Sequence, residues 1–352
     1  LFPVAVAGRL GAVAPADLDR GVDGGGGLRS GTRHGFQVRN RGLDGLGAGR
    51  GLAYDRRIHN PASLSPDPMS HKPRTAPAQE FRLPGHDVLA IGGRDAVAFA
   101  QAQFMNDVAA LVDGGWHWNG WLTPKGRVIA LFALLRQDAE TLWLVLPDAG
   151  AGELATQLQR FVFRSKVRLQ PRDDLHANGR FGAPALASGS TIAQADGAFE
   201  LDLGADGGPR CLRIANAAAE ADAALASRWR GFDLQHGLPR LRDAQLEAWT
   251  PQHLSLDRLR AYSVKKGCYP GQEIVARTHF LGQVKRGLAL FHAGAPLPEG
   301  SAISADGRDI GSVACVEEDL ALAVMPLDAP AAGLVAAGID LLPAPLLGGL
   351  AR

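Results

Sequence analysis

A chain of 352 residues that is 46% apolar and 21% charged has the composition of an ordinary globular protein of two or three domains. Lys plus Arg number 37 against 36 Asp plus Glu, so bulk charge announces neither a nucleic-acid nor a membrane partner, and no apolar run approaches the ~20 residues that span a bilayer. The three cysteines, Cys211, Cys268 and Cys315, are far apart and lack CxxC spacing, which argues against a disulfide framework or a self-contained zinc or iron-sulfur site and fits a reducing cytoplasm.

Residues 1–68 contain no Lys, Glu, Met, Trp or Cys, are rich in Gly and Arg, and include the run Gly24-Gly25-Gly26-Gly27; the first methionine is Met69. This composition predicts that residues 1–80 are a disordered, non-native extension and that natural translation starts at Met69. An Arg-rich targeting segment is the competing reading, although the aspartates and the glycine run make a poor amphipathic helix.

From Phe81 the patterning is regular. Val88–Ile91 is a predicted strand and Asp95–Leu111 a helix. Trp116–Leu122 and Arg127–Leu135 form a hairpin around Thr123-Pro124-Lys125-Gly126, and Leu142–Leu146 is a further strand. Gly152–Phe163 reads as a helix with Leu154, Leu158 and Phe161 on one face, followed by a closing strand at Val167–Leu169. This order predicts a split βαβ, ferredoxin-like α+β domain over residues 81–172. Strand alternation puts Trp116 and Trp118 on one face and Trp121 on the other; an aromatic ligand platform is conceivable, with core packing the commoner fate. A second α+β domain is predicted over 173–283, with short strands near Ile192, at Phe199–Leu203 and at Cys211–Ile214, then an Ala-rich helix, Ala217–Arg228. The aperiodic, Arg-containing stretch Gly231–Thr250 is expected to line or cover something. Alternating apolar residues in Lys285–Phe291, Ile303–Ser304, Ile310–Val316 and Leu320–Val324 predict a small antiparallel barrel over 284–352.

The densest chemistry lies in Val264–Arg277. Gly267 and Pro270-Gly271 force turns, and a helix is expected from Gln272, with Glu273 in its first turn and Arg277 four residues on as its ion-pair partner. Cys268 is then placed ahead of a helix N-terminus beside Lys265 and Lys266, surroundings that favour a thiolate. The two lysines either meet an anionic ligand tail or solvate the loop, and Glu273 either reaches a cofactor ring or simply pairs with Arg277. No dinucleotide fingerprint, phosphate loop, HExxH motif or Ser/His/Asp spacing competes with this segment.

The run Lys266-Gly267-Cys268-Tyr269-Pro270-Gly271-Gln272-Glu273 resembles the signature of the folate-binding YgfZ family, relatives in fold of the glycine cleavage T protein, a tetrahydrofolate-dependent aminomethyltransferase. Gly93-Arg94-Asp95-Ala96, Phe104-Met105-Asn106-Asp107-Val108, Pro124-Lys125-Gly126-Arg127 and Ala276-Arg277 leading to Lys285-Arg286 extend the likeness from Val88 to the barrel. The resemblance implies a T-protein-like α+β fold of three domains, two ferredoxin-like ones around a central folate channel and a C-terminal antiparallel β-barrel. It implies tetrahydrofolate as cofactor, Cys268 and Lys266 as the reactive groups, and Lys265, Gly267, Tyr269, Gly271, Gln272, Glu273, Arg277 and Arg127 as folate contacts. Where T proteins carry the acid needed for aminomethyl transfer, this chain has Ala130-Leu131. A neutral pair cannot hold or protonate an amine. The implied role is therefore assembly or repair of iron-sulfur clusters in client proteins, tRNA-modifying enzymes among them, in the cytoplasm and without direct nucleic-acid or membrane binding. A folate-dependent one-carbon transferase or demethylase is the alternative, and a non-enzymatic docking scaffold a third reading.

Overall fold

A computed structural model describes residues 79–242, 245–282 and 284–352. The expectation for residues 1–80 lies outside the described residues except at its last two positions, where Glu80 already opens a strand. That strand, β1 (Glu80–Arg82), belongs to a sheet completed a hundred residues later. The chain first builds another sheet from β2 (His86–Gly92), β3 (Gly115–Leu122), β4 (Val128–Arg136), β5 (Thr141–Pro147) and β6 (Arg168–Pro171), in the order β3-β4-β5-β2-β6. β5 and β6 both run antiparallel to β2 and so parallel to each other, joined by α2 (Ala151–Gln159); this is the anticipated split βαβ. With α1 (Ala96–Gln103) the helices cover one face, where Leu89, Ile91, Phe132 and Leu144 meet Phe99, Leu154 and Leu158. The opposite face, carrying Val88, Ala90, Trp116, Trp118, Ala133 and Val145, is buried too. Burial on both faces is why these strands read as nearly unbroken apolar runs, and it sends Trp116 and Trp118 into one core and Trp121 into the other.

Three helices depart from the predicted bounds, and α2, expected to reach Phe163, stops at Gln159 and leaves Phe161 exposed. α1 ends eight residues early because Phe104 turns extended and bridges to Trp121, taking the chain back along β3. α3 (Ala223–Gln235) begins only where Asp222 can cap it, its carboxylate accepting from the Leu225 N–H at 2.9 Å. The preceding Ala-rich residues stay non-helical, with the Ala217 carbonyl and the Ala219 N–H both bonded to the side chain of Asn178.

The second sheet takes the order β1-β7-β10-β9-β8 from β7 (His176–Arg180), β8 (Ile192–Ala195), β9 (Ala198–Asp202) and β10 (Cys211–Ala215). Leu201, Leu212, Ile214 and Ala177 pack toward Trp116, Trp118 and Trp143 of the first sheet, with Trp229 of α3 in the same core. After α4 (Gln272–Phe280) comes a closed barrel of β11 (Arg286–Ala293), β12 (Ala302–Ala305), β13 (Arg308–Glu317), β14 (Leu320–Pro326), β15 (Leu334–Ala336) and β16 (Ile339–Ala344). The last two strands, unforeseen in the pattern, close it by pairing β16 with β11. The stretch that carries the cysteine motif lies against the first sheet: Val128 N–H donates to Trp249 O at 2.8 Å and Ser263 N–H to Met105 O at 2.9 Å.

Candidate functional site

Two features merit chemical attention, the loop around Cys268 and a cavity between the two sheets. The loop is rigid on its inner side. Ser263 Oγ accepts from the N–H groups of Lys265 (3.2 Å) and Lys266 (3.3 Å), its carbonyl accepts from the Tyr269 phenol (3.2 Å), and Gln272 Nε2 donates to the Lys266 carbonyl (3.0 Å). Burial pushes the Tyr269 phenol well above its ordinary pKa, so it acts as a fixed donor. Gly271 stands in the left-handed region at φ +79°, and a Cβ there would lie 2.6 Å from Thr123 O and 2.7 Å from Gly126 Cα. Only glycine lets the β3–β4 hairpin tip press onto the start of α4.

Lys266 departs most from expectation. Its side chain is buried beneath the loop; Nζ donates to the carbonyls of Gln101, Phe104 and Asn106, the last at 3.2 Å, and lies 4.9 Å from the centroid of the Tyr269 ring. It satisfies carbonyls left open where α1 ends, and burial draws its pKa down to about 8. Arg127 is likewise occupied, donating to Ala248 O at 2.6 Å. The expected Glu273–Arg277 pair is not among the ion pairs of the described residues: both side chains are exposed, and an exposed pair worth about 0.3–0.5 kcal/mol does not order two long side chains. What the loop leaves at its surface is Lys265, Gly267, Cys268, Glu273 and Arg277. Cys268 is the exposed thiol; Cys211 and Cys315 are buried, their pKa values pushed up to about 12 by desolvation.

The cavity is a small void of about 20 Å³, room for one water, lined by His86, Trp118, Leu212, Trp229, Asp233 and Leu238 among others, and by none of the motif residues. Its aromatic walls come from strand β3 and helix α3. Asp233 is buried between two guanidinium groups, accepting from Arg210 Nη1 at 2.7 Å and from Arg240 Nη1 at 3.3 Å. Arg240 Nη2 continues the network to Asp148 at 2.8 Å. Burial alone would raise the Asp148 pKa, but the hydrogen bonds and charge of Arg240 outweigh it and hold the carboxyl below its usual range. Arg210 is sandwiched between the rings of Trp229 (4.3 Å) and Phe232 (3.8 Å), which accounts for the N–H groups it leaves without conventional acceptors. His86 also lines an outer cleft of about 210 Å³ with Arg82, Arg172 and His176.

Motif searching misses this buried ion network because its members, at 148, 210, 233 and 240, are scattered in sequence; of the stretch after Gly231, Leu238 and Leu241 join the core.

Two histidines are held neutral. Desolvation, reinforced by the Arg240 cation, draws His86 down to about 3, and desolvation draws His117 down to about 4. Both folded values lie below that of an unfolded histidine, so the unfolded chain binds more protons between about pH 4 and 6.5. The stability these groups contribute is complete above about pH 6.5 and falls with acidification by up to about 1.4 kcal/mol per pH unit for each. Urea unfolding followed by tryptophan fluorescence should show a lower midpoint at about pH 5 than at about pH 7; equal midpoints would place the His117 imidazole in contact with water.

No protein-family model matches the chain. Over 218 residues, 56% of the chain, it is 29% identical to the tRNA-modifying protein YgfZ of Klebsiella pneumoniae (strain 342), and the match spans 66% of that protein, just under two thirds of its length. Among solved structures, the glycine cleavage system aminomethyltransferase T from Bartonella henselae superposes with a TM-score of 0.61 at 15% identity, covering 77% of this chain and 85% of that one. The α+β layers and C-terminal barrel are thus a T-protein-like fold.

Proposed function

We propose that the protein binds tetrahydrofolate and supports assembly or repair of iron-sulfur clusters in client enzymes, tRNA-modifying ones included, through Cys268. The observation that carries this reading is the exposed thiol of Cys268 on a loop anchored from within by Ser263, Tyr269 and Gln272, on a T-protein-like fold. The void between the sheets holds about 20 Å³, room for one water, and so does not take a bicyclic ring; the exposed residues of the motif loop, Lys265, Glu273 and Arg277, are the groups open to the cofactor. Tetrahydrofolate, when bound, supplies a reduced pterin able to carry one-carbon units.

Ala130 and Leu131 are buried apolar residues of β4 in opposite cores, so neither offers a carboxylate to a substrate amine. This favours an accessory role over aminomethyl transfer. Of the motif residues, Lys265, Glu273 and Arg277 remain exposed for ligand or client contact, while Lys266, Tyr269, Gly271, Gln272 and Arg127 hold the loop in place. Because Cys268 is exposed, Cys268→Ala should leave stability within about 0.5 kcal/mol of wild type and 5-formyltetrahydrofolate binding intact by calorimetry. The same variant should fail to restore iron-sulfur enzyme activity in a strain lacking the gene. Full restoration would remove Cys268 from the function; absence of folate binding to wild type would remove the cofactor.

A further inference from the structure

The near balance of total charge hides a local excess. Between Glu153 and Asp173 the sequence holds Arg160, Arg164, Lys166, Arg168 and Arg172 and not one carboxylate. Arg172 is engaged, holding Asp174 through two bonds of 2.7 Å. The other four are exposed and form no ion pair among the described residues. The carboxylate beside them, Asp95, accepts the Lys166 N–H at 2.8 Å and stands 3.5 Å from Nε of Arg94, which offsets its charge.

Interleaved with these cations are two rings that the core leaves out. Past the end of α2 the chain keeps turning, with Phe161 N–H donating to Leu158 O (2.9 Å), Val162 N–H to Gln159 O (3.1 Å) and Phe163 N–H to Phe161 O (2.9 Å). This winding sends Val162 onto the helix-side core and both phenylalanines outward. Phe161 is 46% exposed with an edge against Trp121, and Phe163 is 75% exposed with the Arg164 guanidinium 5.0 Å from its centroid. Val167 and Leu169 also pack on that core while Arg168 and Gln170 face out. Aliphatic side chains are thus inside, aromatic and cationic ones outside; a segment shaped by burial alone would hide its rings along with its valines. Along β6, Arg168, Gln170 and Arg172 border a trough of about 430 Å³ floored by Ala90, Gly92 and Gly93, room for a nucleotide.

We propose that this strip is a docking surface for single-stranded RNA, with unstacked bases on Phe161 and Phe163 and phosphates on Arg160, Arg164, Lys166 and Arg168. A single strand offers a base face and a phosphate at every step, the pair of chemistries that the rings and cations match. Where the chain enters β6, outward residues two apart stand about 6.6 Å from each other, a stride that successive phosphates of an unstacked strand can follow. An acidic protein surface would use the cations and leave the rings without a flat partner, and a duplex keeps its bases stacked on one another. The strip departs from the expectation of no direct nucleic-acid contact. The choice of RNA over DNA rests on the tRNA-modifying reading above; the strip itself does not.

The test is fluorescence anisotropy of a labelled oligouridylate of about twelve residues, whose bases stack weakly on one another, against the full chain between about 50 and 200 mM salt. Phe163→Ala should weaken binding at least about fivefold and leave the salt slope unchanged. Lys166→Gln combined with Arg168→Gln should flatten the slope of log K against log salt by about 1.4, about 0.7 for each lost phosphate contact. These side chains are exposed, so urea midpoints should stay at the wild-type value and serve as the folding check. No binding by wild type would overturn the proposal. So would wild-type affinity in Phe163→Ala, which would reduce the strip to a general anion binder. Displacement of the RNA by an equal concentration of a glutamate peptide of the same length would make the partner an acidic protein, and an oligodeoxyuridylate binding at least about threefold tighter would remove RNA as the occupant. Any of these failures leaves the folate and Cys268 reading standing, because calorimetry and iron-sulfur enzyme activity decide that one.

Discussion

Asp233→Ala is expected to lower the unfolding free energy by about 3–5 kcal/mol. Asp233 is the shared partner of Arg210 and Arg240, and Arg210 has no exposed surface at all. Truncation leaves a guanidinium buried between Trp229 and Phe232 with its carboxylate gone, a charge that can neither reach water nor be neutralised by losing its proton. Arg240 is expected to suffer less, because it keeps Asp148 through two hydrogen bonds. The comparison Arg240→Met against Asp233→Ala in urea unfolding therefore tests the topology of the network. A loss below about 1 kcal/mol for Asp233→Ala would mean that Arg210 finds other compensation.

Lys266→Met should cost about 3 kcal/mol, because three carbonyls at the end of α1 lose their common donor in a place closed to water. The loop ahead of Cys268 should then become accessible to limited proteolysis before the rest of the fold. A lysine that only contacted a ligand would behave oppositely, weakening binding with stability unchanged. The pH dependence supplies a second readout. With its folded pKa drawn down to about 8, below that of an unfolded lysine, the folded chain binds fewer protons between about pH 8 and 10.5. Wild type should therefore gain stability across that interval relative to Lys266→Met. Parallel pH profiles for the two proteins would contradict the buried placement of the ammonium.

The lysine shows where sequence reading stops. Lys265 and Lys266 are neighbours of the same chemistry beside the same cysteine, and both read as cations available to a thiol or an anionic tail. In the structure one is exposed and the other is turned inward onto α1. No local pattern distinguishes them, because the carbonyls that recruit Lys266 belong to residues 101–106, 160 positions away. The early end of α1 is the same fact seen from the other side, since the carbonyls freed where the helix stops are those that the lysine caps. Helix α3 was misplaced for a different reason. Alanine propensity favours a helix from Ala217, but propensity is worth only tenths of a kcal/mol per residue and the Asp222 cap and Asn178 bridge outweigh it.

The split βαβ, the terminal antiparallel barrel and the turn at Pro270-Gly271 were legible in the residues alone, because each depends on periodicity or turn chemistry over fewer than about twenty residues. Tertiary structure alone decided what surrounds them. It joined Glu80–Arg82 to strands a hundred residues on, closed the barrel with two short strands of weak pattern, and collected Asp148, Arg210, Asp233 and Arg240 into one buried network. Such contacts are fixed by the burial of whole faces, which local propensities do not encode.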